Sequence, residues 1–173
     1  FALTLGSYAS LTTLYSTWLK RTPYLELLVV GSGFLLRVLA GATAADVPVS
    51  SAFLVAVWAG AAFLAAAKRT GELRHGQSQR VVLRTYTPAT LTAVRVLMVV
   101  IVAGAFSVWA ALEELVWWSS STALLTVIAL MRAESIARRG LLTQPEIALL
   151  KDPVLLTAAL TWLLLFGMGT YAF

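Results

Sequence analysis

The chain has 173 residues, 60% hydrophobic and 12% charged, with a mean hydropathy of +0.85; a soluble domain carries about 25% charged residues, so the composition excludes an ordinary water-soluble fold and points to lipid. The absence of cysteine and the single histidine, His75, exclude a disulfide framework, a thiolate nucleophile and a Cys/His zinc site. The net charge of +5 belongs in such a chain to basic loops facing anionic headgroups, so membrane lipids rather than nucleic acid are the expected partner.

Apolar stretches of roughly 17 to 25 residues, the length a hydrocarbon core requires, predict an all-α polytopic membrane protein with six spanning helices. They run from Phe1 to Leu19, Leu25 to Ala45, Val49 to Ala67, Pro88 to Leu112, Leu115 to Met131 and Pro153 to Phe173. Pro23, Pro48, Pro88 and Pro153 fall in the breaks or on a first turn, where a missing N–H costs little. The breaks alternate in charge. Lys20 and Arg21 lie in the first, Lys68, Arg69, Arg74, Arg80 and Arg84 in the third, and Arg138, Arg139 and Lys151 in the fifth, whereas the second and fourth carry only Asp46, Glu113 and Glu114. By the positive-inside rule the odd breaks are cytoplasmic and both chain ends lie outside.

No cleavable signal is visible, since Phe1 opens an apolar run with no basic flank. The lack of an initiator Met and the start inside a helix read as a fragment whose preceding segment is missing. Neither repeats nor low-complexity stretches are evident, and residues 1–173 read as one membrane domain.

One segment concentrates chemistry: Ala66-Ala67-Lys68-Arg69-Thr70-Gly71-Glu72-Leu73, where the third apolar run stops. On a helix leaving the membrane, Lys68 and Glu72 are four residues apart and share a face, where they can grip a charged substrate at the mouth of a cavity; the plainer reading is a snorkelling helix end. Arg37 and Arg95 fall inside helices, where a charge costs on the order of 3 kcal/mol. Arg95, nearer the interface, can snorkel. Arg37, near mid-span, has to face a cavity, an anion or a carboxylate.

So basic an end favours phosphates, held bidentately by Arg and as a point charge by Lys. A solvated, lipid-facing fringe accounts for Arg138 and Arg139. Trp117 and Trp118, beside Glu113 and Glu114, read as interface anchors on the outer side, and Trp18 as a belt residue or part of a lipid-tail entrance. Gly31, Gly33, Ala61, Ala62 and Ala65 are small enough to let helices approach closely.

Successive segments, Tyr15-Ser16-Thr17-Trp18-Leu19-Lys20, Gly33-Phe34-Leu35-Leu36-Arg37-Val38-Leu39-Ala40-Gly41 and Lys68-Arg69-Thr70-Gly71-Glu72-Leu73, resemble the UbiA superfamily of intramembrane prenyltransferases, and within it the polyprenyl-phosphate phosphoribosyltransferases. Arg80-Val81-Val82-Leu83, Tyr86-Thr87-Pro88, Pro145-Glu146 and Lys151-Asp152 continue the resemblance in order. It implies a nine-helix bundle of which the six helices here are the fourth to ninth, in a bacterial plasma membrane with the active site facing the cytoplasm.

The activity implied is transfer of 5-phosphoribosyl from phosphoribosyl diphosphate to a polyprenyl phosphate such as decaprenyl phosphate, a step toward decaprenyl-phosphoryl arabinose and cell-wall arabinan. Lys68 and Glu72 are the catalytic candidates, standing where aromatic prenyltransferases of the superfamily carry two Asp at i and i+4. Tyr15, Lys20, Arg21, Arg37, Arg69 and Arg74 are the candidates for holding phosphates or ribose. The cofactor implied is Mg²⁺, whose first aspartate-rich motif would precede Phe1, so the resemblance implies no metal ligand in this chain and no activity of it alone.

Gly71, Thr70 and a short loop after Leu73 depart from the family pattern and put donor selectivity in question. A prenyltransferase using an isoprenyl diphosphate donor and a non-enzymatic membrane carrier of anions or lipids are the alternatives, and a homo-oligomer is compatible with all three.

Overall fold

Helix ends in this chain are set by local chemistry, and the computed structural model, which describes residues 2–76, 81–112 and 116–171, shows each device in place. Helix α1 spans Ala2–Thr17 and α2 Leu25–Ala45, the latter stopped by Asp46 in the left-handed region with φ 54°. The Ser50 hydroxyl caps α3 (Ser51–His75) by accepting the Phe53 N–H at 3.2 Å, and Gly76, with φ 62°, ends it. Helix α4 (Pro88–Leu112) opens on a proline behind Thr87, whose hydroxyl and backbone N–H exchange hydrogen bonds of 3.1 Å with Thr90. Helix α5 covers Val116–Arg138, α6 Pro145–Lys151 and α7 Pro153–Tyr171. Two 3₁₀ turns, Leu19–Arg21 and Val81–Arg84, complete the described structure, which contains no strand.

The all-α membrane architecture is as expected, but the spans differ in detail. Among the described residues four helices are long and apolar enough to cross a membrane, five if α6 and α7, bent by 93° at Asp152, count as one. The described part of α1 has 16 residues, roughly 24 Å at 1.5 Å per residue and short of an approximately 30 Å hydrocarbon core. Helices α3 and α5 also run on past the predicted ends at Ala67 and Met131, and Arg69, Arg132 and Glu134 in these extensions pair with opposite charges on other elements. Of the residues singled out from sequence, Phe1, Arg80, Glu113, Glu114, Leu115 and Phe173 lie outside the described residues, as does the side chain of Trp117.

Helix α3 packs on α2, α4 and α5 and is the most buried of the spans. Its small residues explain why: Ala56, Ala59, Ala61, Ala62, Ala66 and Ala67 are all buried, with Phe63 filling the space between them. A Cβ at Gly31 would stand 2.8 Å from the Trp58 carbonyl oxygen, so the α2–α3 approach requires glycine there, whereas Gly33 faces open space. Leucines and valines such as Leu97, Val100, Leu124, Leu163 and Leu164 point outward, the arrangement a lipid solvent selects.

Trp118 is a correction. It is 7% exposed, stacks edge-on against Trp109 at 5.2 Å and donates its indole N–H to the Leu165 carbonyl at 2.6 Å. A tryptophan with that partner ties α5 to α7 inside the core and is no interface anchor. Trp18, by contrast, is exposed.

Candidate functional site

The three basic breaks meet at one end of the bundle, where side chains tie them together across helices. Arg69, buried near the end of α3, donates from Nε to Glu26 Oε1 at 2.8 Å, from Nη2 to Glu26 Oε2 at 3.4 Å and from Nη1 to Glu72 Oε2 at 2.8 Å. Glu26, on the first turn of α2, is wholly buried. The Tyr86 hydroxyl donates to its Oε1 at 3.3 Å and accepts the Tyr24 backbone N–H at 2.9 Å. Burial pushes the Tyr86 phenol up to about 12, with the neighbouring Glu26 carboxylate adding to the shift, so it remains a donor at any physiological pH.

A second cluster lies alongside. Arg95, 1% exposed, donates from Nε to Glu134 Oε2 at 2.8 Å and from Nη2 to Oε1 at 3.3 Å, and its other contacts are the Thr70 hydroxyl and the Thr92 hydroxyl at 3.2 Å. Arg138 reaches the same carboxylate at 2.9 Å. Arg95 therefore does not snorkel; it is one half of an ion pair between α4 and α5.

Thr70 and Gly71 also acquire a structural reason. Thr70 serves Arg95, and a side chain at Gly71 would collide with Thr143 and approach the Gly140 carbonyl to 3.0 Å, so the turn after α5 seats directly on α3. The left-handed Gly140, φ 77°, closes that turn, with the Arg74 stem packed against it so that a Cβ there would meet Arg74 Cδ at 2.7 Å.

The predicted site residues divide into two sets. Three nitrogens of Arg69 are committed to carboxylates, so its fork is not free for a phosphate; its place is to hold Glu72. Lys68 is exposed on the same helix end, and among the described residues no carboxylate pairs with it. Glu72 consequently bonds to Arg69 rather than to Lys68, and its Oε1 has no protein donor among the described residues. Lys20 and Arg21 project from the 3₁₀ turn at the same end, also exposed and without an ion pair among the described residues.

Arg37 and Tyr15 come together elsewhere, in a groove between α1 and α2 lined also by Tyr8, Gly33, Val30 and Phe34. Arg37 lies eleven residues beyond Glu26 on α2, roughly 16 Å deeper. Its Nη2 donates to the Tyr8 hydroxyl at 2.6 Å, and its guanidinium sits 5.1 Å from the Tyr8 ring centroid and 5.0 Å from that of Phe34. No carboxylate accompanies it among the described residues.

Glu26, Thr92 and Glu134 escaped the sequence reading, and Tyr86 and Asp152 entered it only within resembling segments, with no role assigned. Glu26 and Glu134 left a signal, because a carboxylate in or beside an apolar run demands a cation, and Arg69 and Arg95 were available. The described residues do not assemble a magnesium site: Glu26 and Glu72 are both bound to Arg69, and no group of three or more potential ligands occurs among them.

No family model matches the chain. A protein of Mycolicibacterium smegmatis named decaprenyl-phosphate phosphoribosyltransferase is 31% identical over 185 residues, covering 98% of this chain and 58% of its own length. Proteins of the same name are 30% identical in Corynebacterium glutamicum, over 98% of this chain and 54% of theirs, and 32% identical in Mycobacterium tuberculosis, over 96% and 57%. The chain thus spans a little over half the length of these curated relatives. Over 96–98% of its residues this helical membrane chain is thus a relative of proteins named decaprenyl-phosphate phosphoribosyltransferase.

Proposed function

We propose that the protein carrying this chain is a UbiA-type pentosyltransferase, which moves 5-phosphoribosyl from phosphoribosyl diphosphate to decaprenyl phosphate or a similar polyprenyl phosphate on the cytoplasmic side of a bacterial plasma membrane, toward cell-wall arabinan. The observation that carries this reading is the separation of the cations. Arg69 and Arg95 are neutralised inside the bundle, while Lys68, Lys20 and Arg21, at one end of it, have no carboxylate partner among the described residues, in a chain related to proteins named decaprenyl-phosphate phosphoribosyltransferase.

A phosphate oxygen of the lipid attacks C1 of the donor ribose, the O–C1 bond forms as the C1–diphosphate bond breaks, and diphosphate departs with the electron pair. The nucleophile is already an anion, so no general base is needed. Lys68 offsets charge on the departing diphosphate, with Lys20 and Arg21 at the same end of the bundle. Glu72, fixed through Oε2 by Arg69, keeps Oε1 for a ribose hydroxyl. Arg74, its stem packed on Gly140, contributes charge at this end. Mg²⁺ would be held by groups outside the described residues, where it would offset charge on the diphosphate.

The Tyr8, Tyr15 and Arg37 groove is assigned to the lipid acceptor. Because Arg37 has a phenol and two rings for partners and no carboxylate to strand, Arg37→Leu should leave the melting temperature unchanged or higher while removing most transfer activity, with Arg37→Lys between the two. Turnover and thermal unfolding measured on the same nanodisc samples check this, and a stable, fully active Leu variant rejects the assignment.

The reading as a whole is tested on the product of the entire reading frame that contains this chain, reconstituted with radiolabelled phosphoribosyl diphosphate and decaprenyl phosphate. Label is expected in the lipid fraction. Prenyl transfer from an isoprenyl diphosphate to an aromatic acid, with no ribose phosphate entering lipid, would overturn it.

A further inference from the structure

The turn between α5 and α6 encloses a second polar cavity, of about 390 Å³, that the proposed reaction does not use. Its walls include Arg132, Ser135, Arg139, Gln144, Lys151 and Asp152. Asp152 is fully occupied: its carboxylate receives Arg132 at 2.7 Å and caps α7 by accepting the Val154 and Leu155 N–H groups at 3.1 Å. Arg139 and Lys151 are exposed and have no carboxylate partner among the described residues. Two uncompensated cations thus flank one cavity.

Location narrows the ligand. Helix α6 meets α7 at 93°, so if α7 crosses the bilayer, α6 lies along its surface, at the end where the basic segments gather. Ile147, Ala148 and Lys151 line the polar cavity, while Pro145, Glu146 and Leu149 of the same short helix line an apolar groove that runs along α3, α5 and α7. Leu141 and Leu150 project outward beside them. Cations on one side and an apolar groove on the other match the two parts of a lipid. Arg139 and Lys151 suit a phosphate, the one as a bidentate fork and the other as a point charge.

We infer that the cavity at the α5–α6 turn binds the phosphate of an anionic membrane phospholipid between Arg139 and Lys151. Because Thr143 of this turn rests on Gly71 of α3, an occupied site braces the helix end that presents Lys68.

The test is native mass spectrometry of the protein in neutral detergent, titrated with phosphatidylglycerol, with phosphatidylcholine, or with inorganic phosphate. Phosphatidylglycerol should bind the wild type in preference to phosphatidylcholine. A cation touching the headgroup contributes a factor of about five, the size of the attraction between one Lys or Arg and an anionic lipid surface, so Arg139→Gln/Lys151→Gln should weaken phosphatidylglycerol roughly 30-fold and Arg139→Gln alone about fivefold. Arg84→Gln, which removes an exposed cation from the same end but outside the cavity, should change it less than about twofold. The melting temperature of each variant in lipid-free detergent confirms that these exposed positions do not disturb the fold. Equal phosphatidylglycerol binding by wild type and double variant, or a loss in Arg84→Gln as large as in Arg139→Gln, would show diffuse attraction and overturn the site. Displacement of the lipid by millimolar inorganic phosphate would assign the cavity to a soluble anion and overturn the lipid assignment.

Discussion

Replacing Glu134 with leucine is expected to destabilise the protein by about 3–5 kcal/mol, because it strands the guanidinium of Arg95 in the bundle interior. Arg138 cannot compensate, since it carries the same charge and depends on the same carboxylate. The double replacement Arg95→Met/Glu134→Leu should recover most of that loss, since a well-packed apolar pair has no desolvation cost to meet. Equilibrium unfolding of the two single variants and the double variant in one detergent gives the coupling between the positions. A Glu134→Leu protein within about 1 kcal/mol of wild type would show that Arg95 does not rely on this carboxylate.

Lys68→Ala is expected to do the opposite, leaving the melting temperature unchanged and lowering phosphoribosyl turnover by about 10²–10³-fold, the usual cost of removing one group that stabilises charge in the transition state. An exposed helix-end lysine without an ion partner contributes little to the fold, so the two readouts should separate cleanly. Arg69→Met, one residue along, should lose stability as well as activity, because it strands the buried Glu26 and releases Glu72 together. Wild-type turnover in Lys68→Ala would return this lysine to the role of a boundary marker. A stability loss equal to that of Arg69→Met would show that Lys68 belongs to the buried cluster.

The contrast between these neighbours marks the boundary of sequence reasoning. From the residues alone Lys68, Arg69 and Glu72 form one charged cluster at a helix end, and the two cations are equally plausible ligands for a phosphate. What distinguishes them is Glu26, forty-three residues before Arg69, which removes one cation from the cluster and leaves the other. Arg37 illustrates the same limit from the other side. Its cost in the apolar run was plain, but the phenol and rings that accommodate it come from α1 and from the preceding turn of its own helix.

Apolar length, the alternation of basic and acidic breaks, and the capping and turn residues Ser50, Gly76, Pro88 and Gly140 are local properties, and hydration and backbone geometry act on them wherever the chain lies. The sequence by itself therefore determined an all-helical membrane protein with its basic segments gathered at one end. The tertiary structure alone decided which charges are spent and which remain, Arg69 on Glu26 and Glu72, Arg95 on Glu134 and Asp152 on Arg132, and it placed Trp118 in the core. Those outcomes depend on which helix faces which, and the small residues of α3 set that by letting α2, α4 and α5 approach it closely. A buried charge then takes whichever partner that packing places within reach, because leaving it unpaired costs more than any local preference offers.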